Sequence, residues 1–199
     1  SSIDGWSWSC GLAPHATLPL HGGQDCQVRN AAAVLMVIEA MAARFPVPPE
    51  AVCAALSDFS LPGRCQTLPG DPGLVLDVAH NPQAAAVLAD NLEARPVKGR
   101  TLLVLGMLGD KDHRAFARAL QGRVDGWYLA TLDDPRGATA SALAGAVAEV
   151  AGEGGYEVFD SVAAALGRAR ADARTGDRVL VTGSFVTVAG ARQTRGIKV

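Results

Sequence analysis

From residue 73 onward, short apolar runs alternate with stretches in which small apolar residues return every third or fourth position. GLVLDVA (73–79), TLLVLGML (101–108), DGWYLATL (125–132), YEVFDS (156–161) and DRVLVTG (177–183) each read as a buried strand of four to six residues. Between them lie PQAAAVLADNLEAR (82–95), HRAFARALQGR (113–123), ATASALAGAVAEVAGE (138–153) and SVAAALGRARADART (161–175), whose spacing predicts amphipathic helices. Pro82 suits the first turn of its helix after Asn81, and Gly176-Asp177 closes another helix before its strand. Five strands joined by helical crossovers predict an α/β fold with a mostly parallel, doubly wound sheet. Ligands are then expected at the carboxyl ends of the strands.

The first sixty residues follow another pattern. Trp6, Trp8, Pro14, Pro19 and the Gly22-Gly23 pair predict an irregular or hairpin-like stretch. A long apolar helix is expected over 28–43, ended by Pro46-Val47-Pro48-Pro49, with a second short helix over 49–56. Two or three such elements cannot bury themselves. The helix is apolar on too many sides for a solvent-facing surface, so it either packs on the α/β unit or lacks its natural neighbours, and missing neighbours are the expectation.

Composition narrows the classes. With 18 Lys+Arg against 20 Asp+Glu, the formal charge is −2, without the basic excess of a nucleic-acid clamp or a polybasic membrane binder. The longest apolar run, 31–38, is far shorter than the roughly 20 residues of a membrane span. No secretory signal or lipidation motif is read, and a cytoplasmic setting is expected. Four cysteines without a C-x-x-C point to free thiols, and Cys10, His15, His21 and Cys26 are spaced unlike the tight pairs of a zinc site.

Candidate chemistry gathers after the strands. LDVAHNP (76–82) places Asp77 at a strand end, and His80-Asn81-Pro82 opens a helix. A carboxylate there can accept from a ribose hydroxyl, the imidazole can meet a base, and the helix amino end favours an anion. Asp77 and Asn81 read equally well as turn and cap residues. In LPGR (61–64) a Pro-Gly turn presents Arg64, either a fork for a phosphate or a solvated surface residue. Asn30 caps the long helix or reads a base. In GMLGDKDH (106–113), Asp110, Asp112 and His113 make a weak metal signal, and Asp110 or Asp112 reads better as a helix cap. Ser184, in GSF (183–185), caps a helix or contacts a small carboxylate. G-x-G-x-x-G, G-x-S-x-G and G-x-x-x-x-G-K-[ST] are all absent, which removes support for a dehydrogenase, a serine hydrolase and a phosphate cradle within these residues.

In order, Asn30-Ala31-Ala32, LPGRCQ, LDVAHNPQAAAVLA, LGMLGDKD, VDGWYLA, DDPRGATA and VLVTGSFVTVA resemble the carboxyl-terminal part of the bacterial bifunctional dihydrofolate synthase/folylpolyglutamate synthases, the folate branch of the Mur ligase family. The resemblance runs from about residue 29 to 189. It implies a Rossmann-like domain at 73–199, a linker at 61–72, and at 1–60 a helical remnant of a central ATPase domain. It also implies an ATP-dependent amide ligase that phosphorylates a carboxylate of dihydropteroate or a folate and lets the amine of L-glutamate attack the acyl phosphate. By the same resemblance Asn30 lies near the adenine, Arg64 at the ATP phosphates, Asp77 on the ribose and His80 beside the nucleotide. Ser184 then lines the glutamate site and Lys111 steers the anionic glutamate. ATP and Mg²⁺ are the implied cofactors. The P-loop and metal ligands are expected upstream of residue 1, so no catalytic residue and no metal ligand is assigned within the chain. The parent is expected to be a monomer that meets small molecules rather than nucleic acid or membrane. Cys65 departs from the aromatic residue common after LPGR, and Val186 from the polar or aromatic residue that often follows GSF. The alternative from a different class is a non-catalytic nucleotide- or ligand-binding α/β module.

Overall fold

A computed structural model describes residues 9–10, 13–14, 25–57, 59, 61–152 and 154–194. The chain divides into two compact units, Ser1–Leu61 and Pro62–Val199. In the first, β1 (Ser9–Cys10) pairs antiparallel with β2 (Ala13–Pro14), followed by helices α1 (Asp25–Ala40) and α2 (Pro49–Ser57). Helix α1 starts earlier than the apolar pattern suggests. It buries Leu35 while Val34, Met36 and Val37 stay more than half exposed. The rest of the expected hairpin-like stretch, with the side chains of Cys10, His15, His21 and Cys26, lies outside the described residues.

The second unit contains β3 (Gln66–Leu68), β4 (Gly73–Leu76), α3 (Pro82–Ala94), β5 (Thr101–Leu105), α4 (His113–Ala119), β6 (Gly126–Ala130), α5 (Ala140–Ala151), β7 (Tyr156–Phe159), α6 (Val162–Asp172), β8 (Arg178–Thr182) and α7 (Phe185–Thr194). Its sheet runs β3-β4-β8-β5-β6-β7, parallel throughout except for the β3–β4 edge. Strand β3 falls in the stretch read as linker, where its three residues pair with β4 in register Thr67 to Val75.

The period-2 alternation of a strand explains the layers. Leu103, Leu105, Trp127, Leu129 and Leu180 face α3, α4 and α5, whereas Leu102, Val104, Tyr128, Val179 and Val181 face α6 and α7. Every residue of β5 and β8 is therefore buried. That is why their sequences read as continuous apolar runs. Side-chain caps start the helices: Asn81, Asp112, Thr139 and Ser161 each accept from the N–H three residues on. Because β8 enters between β4 and β5, the strand order reverses there, and the ligand crevice of such a sheet opens beside that point. No helix among the described residues is long and apolar enough to cross a membrane.

The amino ends of the strands are locked by charge. Asp177 accepts at Oδ1 from the Arg100 N–H (2.7 Å) and at Oδ2 from the Arg100 guanidinium (2.8 Å) and the Arg174 N–H (3.0 Å). Arg178, also buried, donates to the Arg95 carbonyl at the end of α3 and to Thr101 Oγ1, each at 2.9 Å. The backbone N–H groups of Arg100 and Arg174, and then the guanidinium of Arg100, hold the Asp177 carboxyl down at about 2 against an ordinary 3.8. Its folded-state value is the lower one, so its contribution is complete above about pH 4 and fades as the pH falls toward 2. Asp177→Asn is expected to cost about 2 kcal/mol near neutral pH. Urea unfolding across pH should show the variant and the parent converging in acid.

Candidate functional site

The site is built on the exit of β4. Asp77 is buried (7% exposed), and its carboxylate is held at both oxygens: Oδ1 accepts from the Ala79 N–H and Oδ2 from the Cys65 N–H, each at 2.8 Å. The Val78 N–H donates to the Gly63 carbonyl at 2.8 Å, so the turn at 62–65 is pinned against the strand exit by two independent bonds. Gly63 has φ +73°, and a Cβ there would meet Val78 Cγ1 at 3.0 Å. Glycine is required at that position by both conformation and space. Gln66 Oε1 accepts from the Gly63 N–H (3.1 Å) and from Arg192 on α7 (3.2 Å), fixing the far side of the turn.

From this turn Arg64 projects as an exposed side chain, with its guanidinium 5.9 Å from the centroid of the Phe185 ring. His80 packs near the same ring, with centroids 6.1 Å apart and planes tilted by 43°. His80 Nδ1 lies 2.9 Å from the Val78 carbonyl oxygen. A carbonyl only accepts, so Nδ1 carries the proton and Nε2 is the nitrogen left for a ligand. Asn81 caps α3 through its Oδ1.

The exit of β8 is stitched to both neighbours. Ala79 O accepts from the Gly183 N–H (3.0 Å) and Thr182 Oγ1 (3.3 Å), while Thr182 O accepts from the Gly106 N–H (3.3 Å) after β5. Ser184 is buried, and its hydroxyl accepts from the Thr187 N–H (3.0 Å) and shares a 2.7 Å hydrogen bond with Thr187 Oγ1. Thr187 Oγ1 in turn donates to Gly106 O at 2.6 Å. Ser184 thus starts α7 and ties it to the β5 exit.

Lys111 Nζ lies 3.3 Å from Asp110 Oδ2, which also accepts from Arg136 at 2.9 Å. Burial would raise the Asp110 carboxyl, but the bonds from Lys111 and Arg136 more than offset it and hold the group below its ordinary range. Asp112 caps α4, and His113 Nε2 lies 2.8 Å from the Leu108 carbonyl, so this loop is committed to its own geometry. Among the described residues no group of three or more His, Cys, Asp or Glu stands where it could hold a metal ion.

The structure therefore brings Arg64, Asp77, His80 and the turn of Ser184 together at neighbouring strand exits. Lys111 sits on the loop after β5. Asn30 belongs to the other unit, where it lies inside α1 with Ala31, Val34 and Leu35 along a cavity of about 270 Å³. It does not cap that helix, which begins five residues earlier at Asp25. Phe185, which bridges Arg64 and His80, carried no signal in the sequence beyond an aromatic residue at the first position of a helix following a strand exit.

The family model described as "Mur ligase, glutamate ligase domain" matches residues 63–185, the segment that holds Arg64, Asp77, His80, Lys111, Ser184 and Phe185. The chain belongs to the Mur ligase family. A dihydrofolate synthase/folylpolyglutamate synthase of Escherichia coli is 44% identical over 160 residues, covering 80% of this chain and 36% of that protein. The solved structure of E. coli FolC in complex with DHPP and ADP has 38% identity and a TM-score of 0.86, covering 98% of this chain and 45% of that one. A bifunctional folylpolyglutamate synthase/dihydrofolate synthase solved with Mn, AMPPNP and L-glutamate bound has 39% identity and a TM-score of 0.84, over the same shares of the two chains. The chain thus spans less than half the length of these Mur ligase relatives.

The Asp77 clasp makes the first prediction for the site. Asp77→Ala removes the carboxylate that accepts from the Cys65 and Ala79 N–H groups, and should destabilise the second unit by about 2–4 kcal/mol. Amide exchange at Cys65 and Ala79 should accelerate more than at the β5 core.

Proposed function

We propose that the chain is the nucleotide- and glutamate-facing part of an ATP-dependent amide ligase of the dihydrofolate synthase/folylpolyglutamate synthase type. The observation that carries this reading is the convergence of Arg64, the clasped Asp77 and His80 at the exits of β4 and β8. It is supported by relatives that bear that name and that were solved with ADP, with AMPPNP and with L-glutamate. In the reaction, a carboxylate oxygen of dihydropteroate or a folate attacks the γ-phosphorus of ATP and ADP leaves. The amine of L-glutamate then attacks the acyl carbon, loses a proton and expels phosphate, forming the amide.

The chain's own residues bind and orient. Arg64 offers a planar fork of donors to phosphate oxygens, whose charge is best stabilised by donors fixed in advance. Each Asp77 oxygen spends one lone pair on a backbone N–H and keeps another for a ribose hydroxyl. His80 faces the nucleotide with Nε2. On the glutamate side, Lys111 supplies a cation and Ser184 fixes the turn through its bonds to Thr187. None of these residues is assigned as a ligand of the Mg²⁺ that would accompany ATP and offset the charge of its phosphates. A cytoplasmic setting and a monomeric parent belong to the same reading.

Protein expressed from the natural reading frame, given ATP, Mg²⁺, L-glutamate and dihydropteroate or tetrahydrofolate, should form one amide per phosphate released. Its Arg64→Ala variant should lose roughly 10²–10³-fold in kcat. Failure of the unmodified protein to couple glutamate to either acceptor overturns the reading. The 199-residue chain by itself, which has no G-x-x-x-x-G-K-[ST] segment, should release no glutamate-dependent phosphate.

A further inference from the structure

Phe185 keeps 60% of its surface exposed at the first position of α7, on the side of the helix away from the buried Thr187, Val188 and Ala191 and with Val186 beside it also exposed. An exposed phenylalanine contributes little to a core. What this ring does contact is chemistry: the Arg64 guanidinium lies over it at 5.9 Å, within the range of a cation–π interaction, and the His80 imidazole packs near it at 6.1 Å. Among the described residues no carboxylate forms an ion pair with Arg64, whereas Arg100, Arg123, Arg136 and Arg168 in the same unit are all paired.

The distinction is chemical. A carboxylate partner would consume the donors of the guanidinium and repel an incoming anion. An aromatic face attracts the charge through its quadrupole and leaves the N–H edge free. We propose that Phe185 is a positioning residue: its ring holds the Arg64 guanidinium, with His80 packed alongside, so that both meet the polyphosphate of a bound nucleotide. This rests on the nucleotide reading of Arg64 given above. Ser184 and Gly183 fix where the ring stands, because the cap on Thr187 and the bond from the Gly183 N–H to Ala79 O leave α7 a single starting point.

The test uses the whole chain labelled with ¹⁵N and ¹³C at Arg and His. Without ligand, the Arg64 δ-methylene and His80 ring protons should carry ring-current shifts that Phe185→Leu and Phe185→Met abolish and Phe185→Tyr restores. On titration with sodium tripolyphosphate, followed at the Arg64 Nε–H, the Leu and Met variants should bind about two- to fivefold more weakly than the parent. The Tyr variant should match the parent, and in Arg64→Ala the response to tripolyphosphate, followed instead at the His80 ring protons, should be lost. If the parent binds and the Leu and Met variants bind equally well, the role of Phe185 is overturned while the nucleotide reading stands. If the parent shows no response at Arg64, the nucleotide reading of that residue falls and the proposal falls with it. Two apolar replacements of an exposed side chain guard against one that merely misfolds.

Discussion

One buried carboxylate organises the ligand end of the second unit. A carboxylate taken out of water must be hydrogen-bonded, and Asp77 meets that demand with two backbone N–H groups from separate segments, Ala79 beyond its own strand and Cys65 in the preceding turn. The requirement of one side chain thereby becomes a constraint on two loops. The turn carrying Arg64 cannot leave the exit of β4 without stranding a buried charge. The path of the chain to His80 is fixed in the same way, since the Ala79 carbonyl that receives the β8 exit lies one residue before it. Rigid placement of ligand-facing groups here is a consequence of satisfying buried polar atoms.

The opposite end of the sheet solves a different problem with the same chemistry. Asp177 and Arg100 tie the loops that enter β8 and β5, and Arg178 answers the carbonyl at the end of α3. Arg100 is neutralised by a carboxylate where it stands, and Arg178 spends its terminal donors on a helix-end carbonyl and the Thr101 hydroxyl. Such an end gains stability and offers a ligand little. At the exits of β4 and β8 the bonds are almost wholly between neutral groups and backbone, with Asp77 the buried exception, and Arg64 makes no ion pair among the described residues.

How far the fold is legible in the sequence follows from which forces are local. The strands from 73 onward and the helices between them are written in periodicity, because burial on one or both faces is a local pattern. Strand β3 is not, since three half-exposed residues beside Pro69 carry no period and are held by pairing with β4. The insertion of β8 between β4 and β5 is likewise a long-range choice with no local mark. Among the candidate residues, the motifs point to Arg64, Asp77 and His80, but not to the two N–H bonds that make Asp77 a clasp. Asn30 shows the converse failure: an asparagine before an apolar run reads as a cap, yet the helix extends five residues further back.

Arginine shows most directly how the same side chain is put to two uses. Arg100 is bound by a carboxylate with its position set by the fold, so removing its charge would be felt in stability. Arg64 lies on an exposed ring and makes no ion pair among the described residues, so its charge contributes little to the folded state by itself. A cation in that condition, on a turn pinned by a glycine of positive φ and by a buried carboxylate, is rigidly placed yet electrostatically incomplete. The fold fixes the turn and leaves the charge to be answered from outside, which is the physical form of a binding site for an anion.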